Sequence, residues 1–260
     1  MRLIHEAALV FLLTDIYTKL PITNAVILCN GKQNPYTRKK AGHYVFSNLY
    51  PGNYDVNIMC RGYTDINMSV TLRENETQII VTDIPYTVDN PLLSNLTRFE
   101  ITVAQDKEAL KDKEVLLKLK NEIGFLKLVE PIEAESDDIK LNASMSSGLI
   151  NQRYIYKKGR KEHELFLWGY DQDKSCYILK EPVKEKINVD GTFIPYWKVK
   201  TDSKGRLVLP FLSQFMKDDI IKFELEADGA KANVEADITG LQQSGQVFYL
   251  DANLKKSKSK

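Results

Sequence analysis

Apolar residues in this chain recur at every second position in short stretches, and turn residues interrupt each stretch before a long helix could form. Tyr54, Val56, Ile58 and Cys60 alternate with Asp55, Asn57 and Met59. Side chains point to opposite faces along a strand, so this stretch reads as half-buried β-structure. Tyr44 and Phe46 share a face just before Leu49-Tyr50-Pro51-Gly52-Asn53. There proline fixes φ and glycine supplies a positive φ, the chemistry of a tight turn. Ala8–Leu13, Ala25–Cys29, Val70–Leu72 and Ile79–Val81 are further strand-length runs, with Glu74-Asn75-Glu76 as a hairpin-type loop between the last two. Pro21 cannot donate to a ladder and suits a strand entry or an edge.

Residues 84–96 hold Pro85 and Pro91 and show no period, which makes them the best domain boundary in the chain. Beyond it, Phe99–Val103 alternates as a strand. Ala104–Lys113 reads either as a short helix or as a charged loop, and a helix over 107–120 stays open because Lys, Glu, Leu and Ala all favour one. Val115–Lys120 and Phe125–Val129 read as two strands around a turn at Asn121-Glu122-Ile123-Gly124. Glu133–Asp138 and Asn142–Gly148 read as loops. Leu165–Gly169, Cys176–Leu179, Phe193–Val199, Arg206–Leu209, Ile220–Leu225, Val234–Ile238 and Gln246–Leu250 are strands, with turns at Asp190-Gly191 and Lys204-Gly205 and one helical turn open at Pro210–Met216. Many short strands at such spacing fit a sandwich or barrel.

Composition narrows the function classes. Of 260 residues, 43% are hydrophobic and 27% charged, ordinary for a globular protein and enough for a substantial core. The net charge is +1, and the balance is local: residues 1–90 carry 8 basic and 8 acidic side chains, 91–160 carry 12 and 11, and 161–260 carry 16 and 16. No segment has the basic excess of a nucleic-acid domain. The one charge run is the tail Lys255-Lys256-Ser257-Lys258-Ser259-Lys260, a solvated end or a tether to an acidic surface.

Cys29, Cys60 and Cys176 form no CxxC or metal-type spacing. Their apolar contexts read as buried thiols, with a Cys29–Cys60 disulfide as the alternative in an oxidising compartment. The apolar run Ala7–Leu13 is far shorter than the ~20 residues of a membrane helix. Glu6 interrupts the order of a signal peptide, and Thr14-Asp15 follows where a cleavage site would be. The expectation is therefore a protein made in the cytoplasm without a signal peptide, and no membrane partner.

Motifs for chemistry are sparse. His5, His43 and His163 lie far apart and in no paired ligand motif. No phosphate loop, GxSxG elbow or Cys-His motif is present. Asp137-Asp138 and Asp218-Asp219 are neighbours in sequence, which point apart in a strand. Asp171-Gln172-Asp173 lacks the glycine and terminal glutamate of a calcium loop. The expectation is no catalytic residue, no metal and no cofactor. Aromatic residues supply the remaining candidates: Trp168 and Tyr170 on one strand, and Trp197 with Tyr196 on another, either packed in a core or displayed as a protein- or sugar-binding face.

The N-terminal pattern resembles the carboxypeptidase regulatory-like domain, a transthyretin (prealbumin)-type sandwich. Asp15, Thr18, Pro21, Ile22, Ala25 and Val26 match its opening, and Gly42, Tyr44, Phe46, Leu49, Pro51, Gly52, Tyr54, Gly62 and Tyr63 match its later turns and strands. The match covers about residues 5–86; Asn24 departs from it where a small residue is usual. Thr201–Leu209 echoes the same pattern without its Pro-Gly. The resemblance implies a fold and an accessory, adhesive or assembly role. The expected fold class is mainly β: an N-terminal transthyretin-like β-sandwich followed by one or two further β-sandwich-like domains. The expected divisions are 1–86, a linker at 87–96, a β-rich middle at 97–160, a second sandwich at 161–254 and a basic tail at 255–260. The expected function is a non-enzymatic structural subunit, as in a phage tail or contractile injection particle, or alternatively a carbohydrate-binding or adhesive accessory protein. Its partners would be other subunits or further copies of itself, through Trp168, Tyr170, Tyr196, Trp197, Lys255, Lys256, Lys258 and Lys260.

Overall fold

A computed structural model describes residues 8–256, apart from 48, 75, 122–125, 144–148, 214 and 242–244. The protein is mainly β, 55% strand and 3% helix. It divides into two compact units, Met1–Leu96 with Val208–Pro210, and Thr97–Leu207 with Phe211–Lys260.

The first unit has seven strands: β1 (Leu9–Asp15), β2 (Val26–Cys29), β3 (Thr37–Lys39), β4 (His43–Phe46), β5 (Gly52–Met59), β6 (Ile66–Leu72) and β7 (Gln78–Ile84). They form two sheets, in the orders β3-β4-β1-β7 and β2-β5-β6. Strand β1 runs antiparallel to β4 and parallel to β7. Alternation sends Leu9, Phe11 and Leu13 of β1 and Tyr44 and Phe46 of β4 inward, where they meet Ile27, Val56 and Ile58 of the other sheet in one core. Each such side chain contributes about 1.5–3 kcal/mol by leaving water. Phe11 and Phe46 pack edge to face at 6.2 Å and 83°. The Tyr44 hydroxyl, fully buried, accepts from the Ala25 amide at 2.8 Å and donates to the Ile22 carbonyl at 3.2 Å. Gly42 sits at φ +76°, and a Cβ there would lie 2.5 Å from the Leu13 carbonyl oxygen. Glycine at that position lets β4 enter beside β1.

The second unit has β8 (Arg98–Gln105), β9 (Glu108–Ala109), β10 (Glu114–Leu119), β11 (Asp138–Ile139), β12 (Gln152–Lys158), β13 (Lys161–Asp171), β14 (Cys176–Leu179), β15 (Thr192–Lys200), β16 (Arg206–Pro210, its last three residues counted with the first unit), β17 (Ile220–Ala227), β18 (Ala230–Asp237) and β19 (Val247–Lys256). Their path is β11-β14-β13-β12-β15-β10-β17-β18-β19-β8-β16, with β9 on β8. Strands β18 and β19 pair only at Ala230–Lys256 and Lys231–Lys255. Past that narrow joint the sheet doubles back. Phe99 of β8 meets Phe223 of β17 at 5.1 Å and Phe248 of β19 at 5.4 Å.

Several boundaries differ from the sequence reading. No division falls near residue 160, because β10 lies between β15 and β17 and ties the middle region into the same sheet. With both edges of β10 occupied, it forms no hairpin with 126–129; Leu128 bridges Leu141 instead. Residues 122–125 of the expected turn, like 144–148, lie outside the described residues. Residues 104–113 are not helical: Asp106 and Lys107 take positive φ of 51° and 72° and close the β8–β9 turn. Within the expected linker 87–96, Pro91–Asn95 forms a 3-10 helix, with the Asn90 side chain accepting from the Leu92 amide at 2.9 Å and Pro91 at its start, and the first unit's main segment ends at Leu96. At the possible helical turn, the Phe215 and Met216 amides both donate to the Leu212 carbonyl.

Candidate binding cleft

Three neighbouring strands of the second unit bring unlike side chains together on one face. Register places Tyr196 of β15 opposite Arg153 of β12, and Arg153 opposite Phe166 of β13. Trp168 follows on β13 and packs edge to face on Phe166 at 5.9 Å and 81°. Lys180 comes just after β14, its amide donating to the Phe166 carbonyl at 2.9 Å. Residues 180–187 then form a wall, held by the Glu135 amide on the Val183 carbonyl, the Val183 amide on the Ser136 carbonyl, and the Ile132–Ile187 bridge. Between wall and sheet lies a cleft of about 400 Å³, lined by Arg153, His163, Glu164, Phe166, Lys180 and Glu185 among others.

Tyr196 forms part of the lining with only 1% of its surface exposed. Its hydroxyl donates to Glu164 Oε2 at 2.9 Å. Burial first, and then the Glu164 carboxylate, push its phenol up to about 12. The Arg153 guanidinium sits 4.6 Å from the Phe166 ring centroid, and the Lys180 ammonium lies 5.4 Å from Phe166 and 5.7 Å from Trp168. Aromatic faces hold cations in place in this way. Among the described residues, neither Arg153 nor Lys180 has a carboxylate ion-pair partner. Two of the three lining carboxylates are engaged, Glu164 by Tyr196 and Glu185 by Lys161 at 3.5 Å and His163 at 3.8 Å; the third, Glu181, has no ion pair among the described residues. Beyond Tyr196 the same face carries matched charges, with the Lys118 ammonium 3.3 Å from both Glu224 and Glu226. The cleft is where cations are left over.

The aromatic candidates are not displayed as one face. Tyr196 and Trp197 are each 1% exposed, because β15 has a neighbour on both edges and side-chain cover on both faces. Trp197 points opposite to Tyr196 and packs on Phe215 at 6.4 Å. A flat sugar-stacking surface using these two rings is therefore not formed. A β-bulge between Leu167 and Gly169 separates Trp168 from Tyr170, which packs on Tyr177 at 5.0 Å instead. Lys255 and Lys256 end β19 beside Lys231 and Ala230 and do not line the cleft. Lys258 and Lys260 lie outside the described residues. His163 reaches the cleft, but Asp171 is eight positions along the same strand, about 26 Å away. Asp171 Oδ1 accepts the Asp173 and Lys174 amides at 2.9 and 3.1 Å, so its calcium-like spacing is a turn between β13 and β14. Among the described residues no three His, Cys, Asp or Glu side chains are placed to hold a metal ion, and no helix is long and apolar enough to cross a membrane. Arg153, Phe166 and Lys180 had no motif to mark them.

No family model matches this chain, and no curated protein matches it. Among solved structures, it is similar to the Bacillus anthracis TIE protein, at 12% identity over 96% of this chain and 50% of that one, with a TM-score of 0.28. It is also similar to a streptococcal ancillary pilin, at 10% identity over 95% of this chain and 68% of that one, with a TM-score of 0.24. A third is the major pilin T-13 of Streptococcus pyogenes, at 12% identity over 98% of both chains, with a TM-score of 0.20. The chain spans half the length of the first of these. At these TM-scores the likeness carries no argument.

Proposed function

We propose that this chain is a non-enzymatic structural protein, a subunit that joins other protein subunits through its β-sheet units. The observation that carries this reading is the direction in which the fold moves its reactive groups. Burial pushes the thiols of Cys29, Cys60 and Cys176 up, away from the thiolate form. Burial, then the Asp15 carboxylate, pushes the Tyr63 and Tyr86 phenols far above their usual value. Catalytic nucleophiles and proton donors are tuned toward neutral pH; these are tuned away from it. The thiols lie buried, and Tyr63 and Tyr86 hydrogen-bond the Asp15 carboxylate. The finer reading, a component of a phage tail or contractile injection particle, belongs to this proposal and is supported only by sheet units in series. Within it, the first unit is a transthyretin-type sandwich of the carboxypeptidase regulatory-like pattern, supported by its four-stranded and three-stranded sheets and by Gly42, Tyr44 and Asp15 at matching positions. The test is the mass of the native particle, by light scattering on material from the source cells. A defined multimer supports the subunit reading, and a ~30 kDa monomer, the mass of one compact chain, overturns it.

A second reading, an adhesive protein, is favoured by the cleft. Arg153 and Lys180, fixed over Phe166 and lacking carboxylate partners among the described residues, suit a ligand that carries a carboxylate or another anionic group. Calorimetry with an acidic-sugar panel is the check. Binding that is lost in Arg153→Ala and weakened by salt supports this reading; no binding to any member removes it.

A further inference from the structure

Strand β6 is the outer strand of the β2-β5-β6 sheet. An edge strand offers a row of main-chain donors and acceptors, and natural proteins blunt such edges with charge, proline or brevity. The other edges of this unit are blunted. Strand β3 has three residues, two of them Arg38 and Lys39. Strand β2 has four, and the chain turns back at once through the Cys29–Lys32 bridge. Strand β7 carries Asp83, held by Lys19 at 3.2 Å, and its end is tied down by the Thr64 amide on the Pro85 carbonyl. Strand β6, Ile66-Asn67-Met68-Ser69-Val70-Thr71-Leu72, has no charge, no proline and no glycine over seven residues. A groove of about 620 Å³, lined in part by Met68, Val70 and Ile80, runs beside it.

We propose that β6 pairs antiparallel with β6 of a second copy, about a two-fold axis at Ser69, to give a continuous β2-β5-β6-β6-β5-β2 sheet. The proposal rests on the reading of the chain as an assembly subunit and names its partner. The occupant follows from self-complementarity, since a two-fold contact requires a surface that matches itself. With Ser69 opposite Ser69, Asn67 faces Thr71 and Met68 faces Val70, while Ile66 faces Leu72. Polar residues then meet polar ones on the outer face, where Asn67, Ser69 and Thr71 are exposed, and apolar residues meet apolar ones on the inner face. The flanks decide the register. Asp65 and Arg73, both exposed, become direct neighbours across the axis, twice per pair of chains. Arg73 can take that role, since among the described residues it pairs only with Glu76, at 3.9 Å and with both side chains largely exposed. A shift by two positions puts Asp65 opposite Thr71 in one direction and Arg73 opposite Asn67 in the other. Either shift loses both charge pairs and shortens the ladder.

The test uses the full chain. Sedimentation equilibrium over a concentration series gives the dimer constant, and Ser69→Cys under mild oxidation reports the axis. Directly opposed residues in an antiparallel pair have Cα atoms about 4.5–5.5 Å apart, within reach of a disulfide. The native cysteines are buried. We expect a reversible dimer, a Ser69→Cys cross-link, and weakening of the dimer about tenfold or more by Asp65→Arg, which sets two arginines face to face twice. The double change Asp65→Arg with Arg73→Asp restores it. Both sites are exposed, so the fold is retained, as circular dichroism would verify. A multimer that ignores Asp65→Arg and gives no Ser69→Cys cross-link overturns β6 pairing and leaves the assembly reading standing. A monomer at every concentration also overturns β6 pairing; the mass of the native particle then judges the assembly reading separately.

Discussion

Replacing Asp15 by alanine tests how the first unit holds its opening turn. The Asp15 carboxylate is 1% exposed. Oδ1 accepts the Tyr17 and Thr18 amides, both at 2.8 Å, and Oδ2 accepts the Tyr63 hydroxyl at 3.2 Å. Tyr86 is hydrogen-bonded to the same carboxylate. Truncation leaves these donors without their acceptor in a site closed to water. A hydrogen bond to a charged group contributes about 1.5–3 kcal/mol, and a stranded buried donor costs about 1–3 kcal/mol. The bonds share one acceptor and are not additive, so the expected loss is about 3–5 kcal/mol. That approaches the whole stability of a small unit. Asp15→Asn keeps one oxygen for the two amides and is expected to cost about 1–2 kcal/mol. Urea unfolding of the full chain reads the effect. Both tryptophans, Trp168 and Trp197, lie in the second unit. Their fluorescence follows that unit, while far-ultraviolet circular dichroism follows both. With slopes of about 1–3 kcal/mol per molar urea, Asp15→Ala lowers the midpoint of the first unit by about 1–5 M and leaves the tryptophan transition in place. A loss below about 1 kcal/mol for Asp15→Ala, or equal losses for alanine and asparagine, would refute the reasoning.

Three further outcomes follow from burial and backbone geometry. Tyr196, raised from the usual value near 10 to about 12, and Tyr63 and Tyr86, raised further, keep their protons longer in the fold than in the unfolded chain. Their contribution is complete below pH ~10 and is lost as pH rises through the folded values, so the tyrosinate absorbance of these buried rings should appear together with unfolding; an early titration of all 13 tyrosines near pH 10 in folded protein would contradict this. A thiol reagent should find Cys29, Cys60 and Cys176 silent in the native protein and all three reactive in denaturant, with a fast native reaction counting against their burial. Gly42→Ala forces a side chain into φ +76° and against the Leu13 carbonyl, and is expected to destabilise the first unit by about 2–4 kcal/mol in the same urea titration; a neutral result would mean that β4 can shift away from β1.

What could be read in the sequence depended on where each strand lies in its sheet. Strand β14 spans the expected Cys176–Leu179, and β15 and β17 extend the expected runs by a few residues. In the first unit, β4 and β5 have one covered face, and their alternation stands out at Tyr44, Phe46, Val56 and Ile58. Strand β12 carries no period that marks it as a strand. Tyr154 and Tyr156 enter one core while Ile155 joins Ile194 and Tyr196 on the other face, so apolar residues fill consecutive positions and the period of two disappears. Strand β10 has the same character, with Leu117, Lys118 and Leu119 all buried, so its sequence fits a helix as well as a strand.

The same distinction separates the cleft from the β6 edge. A period of two tells which face a side chain takes but not which strand lies beside it. The cleft needs Tyr196, Arg153 and Phe166 aligned across three strands whose members are 43 and 13 positions apart in the chain, and Lys180 delivered from a fourth. Nothing local encodes that register, so the cleft could be found only from the fold. The β6 edge is the opposite case. Its polar and apolar positions, and the Asp65 and Arg73 that flank them, are all contained in one stretch of nine residues. Only its position at the border of a sheet had to come from the structure, because the same nine residues in a central strand would have met two fixed neighbours of the same chain and left no edge for a second copy.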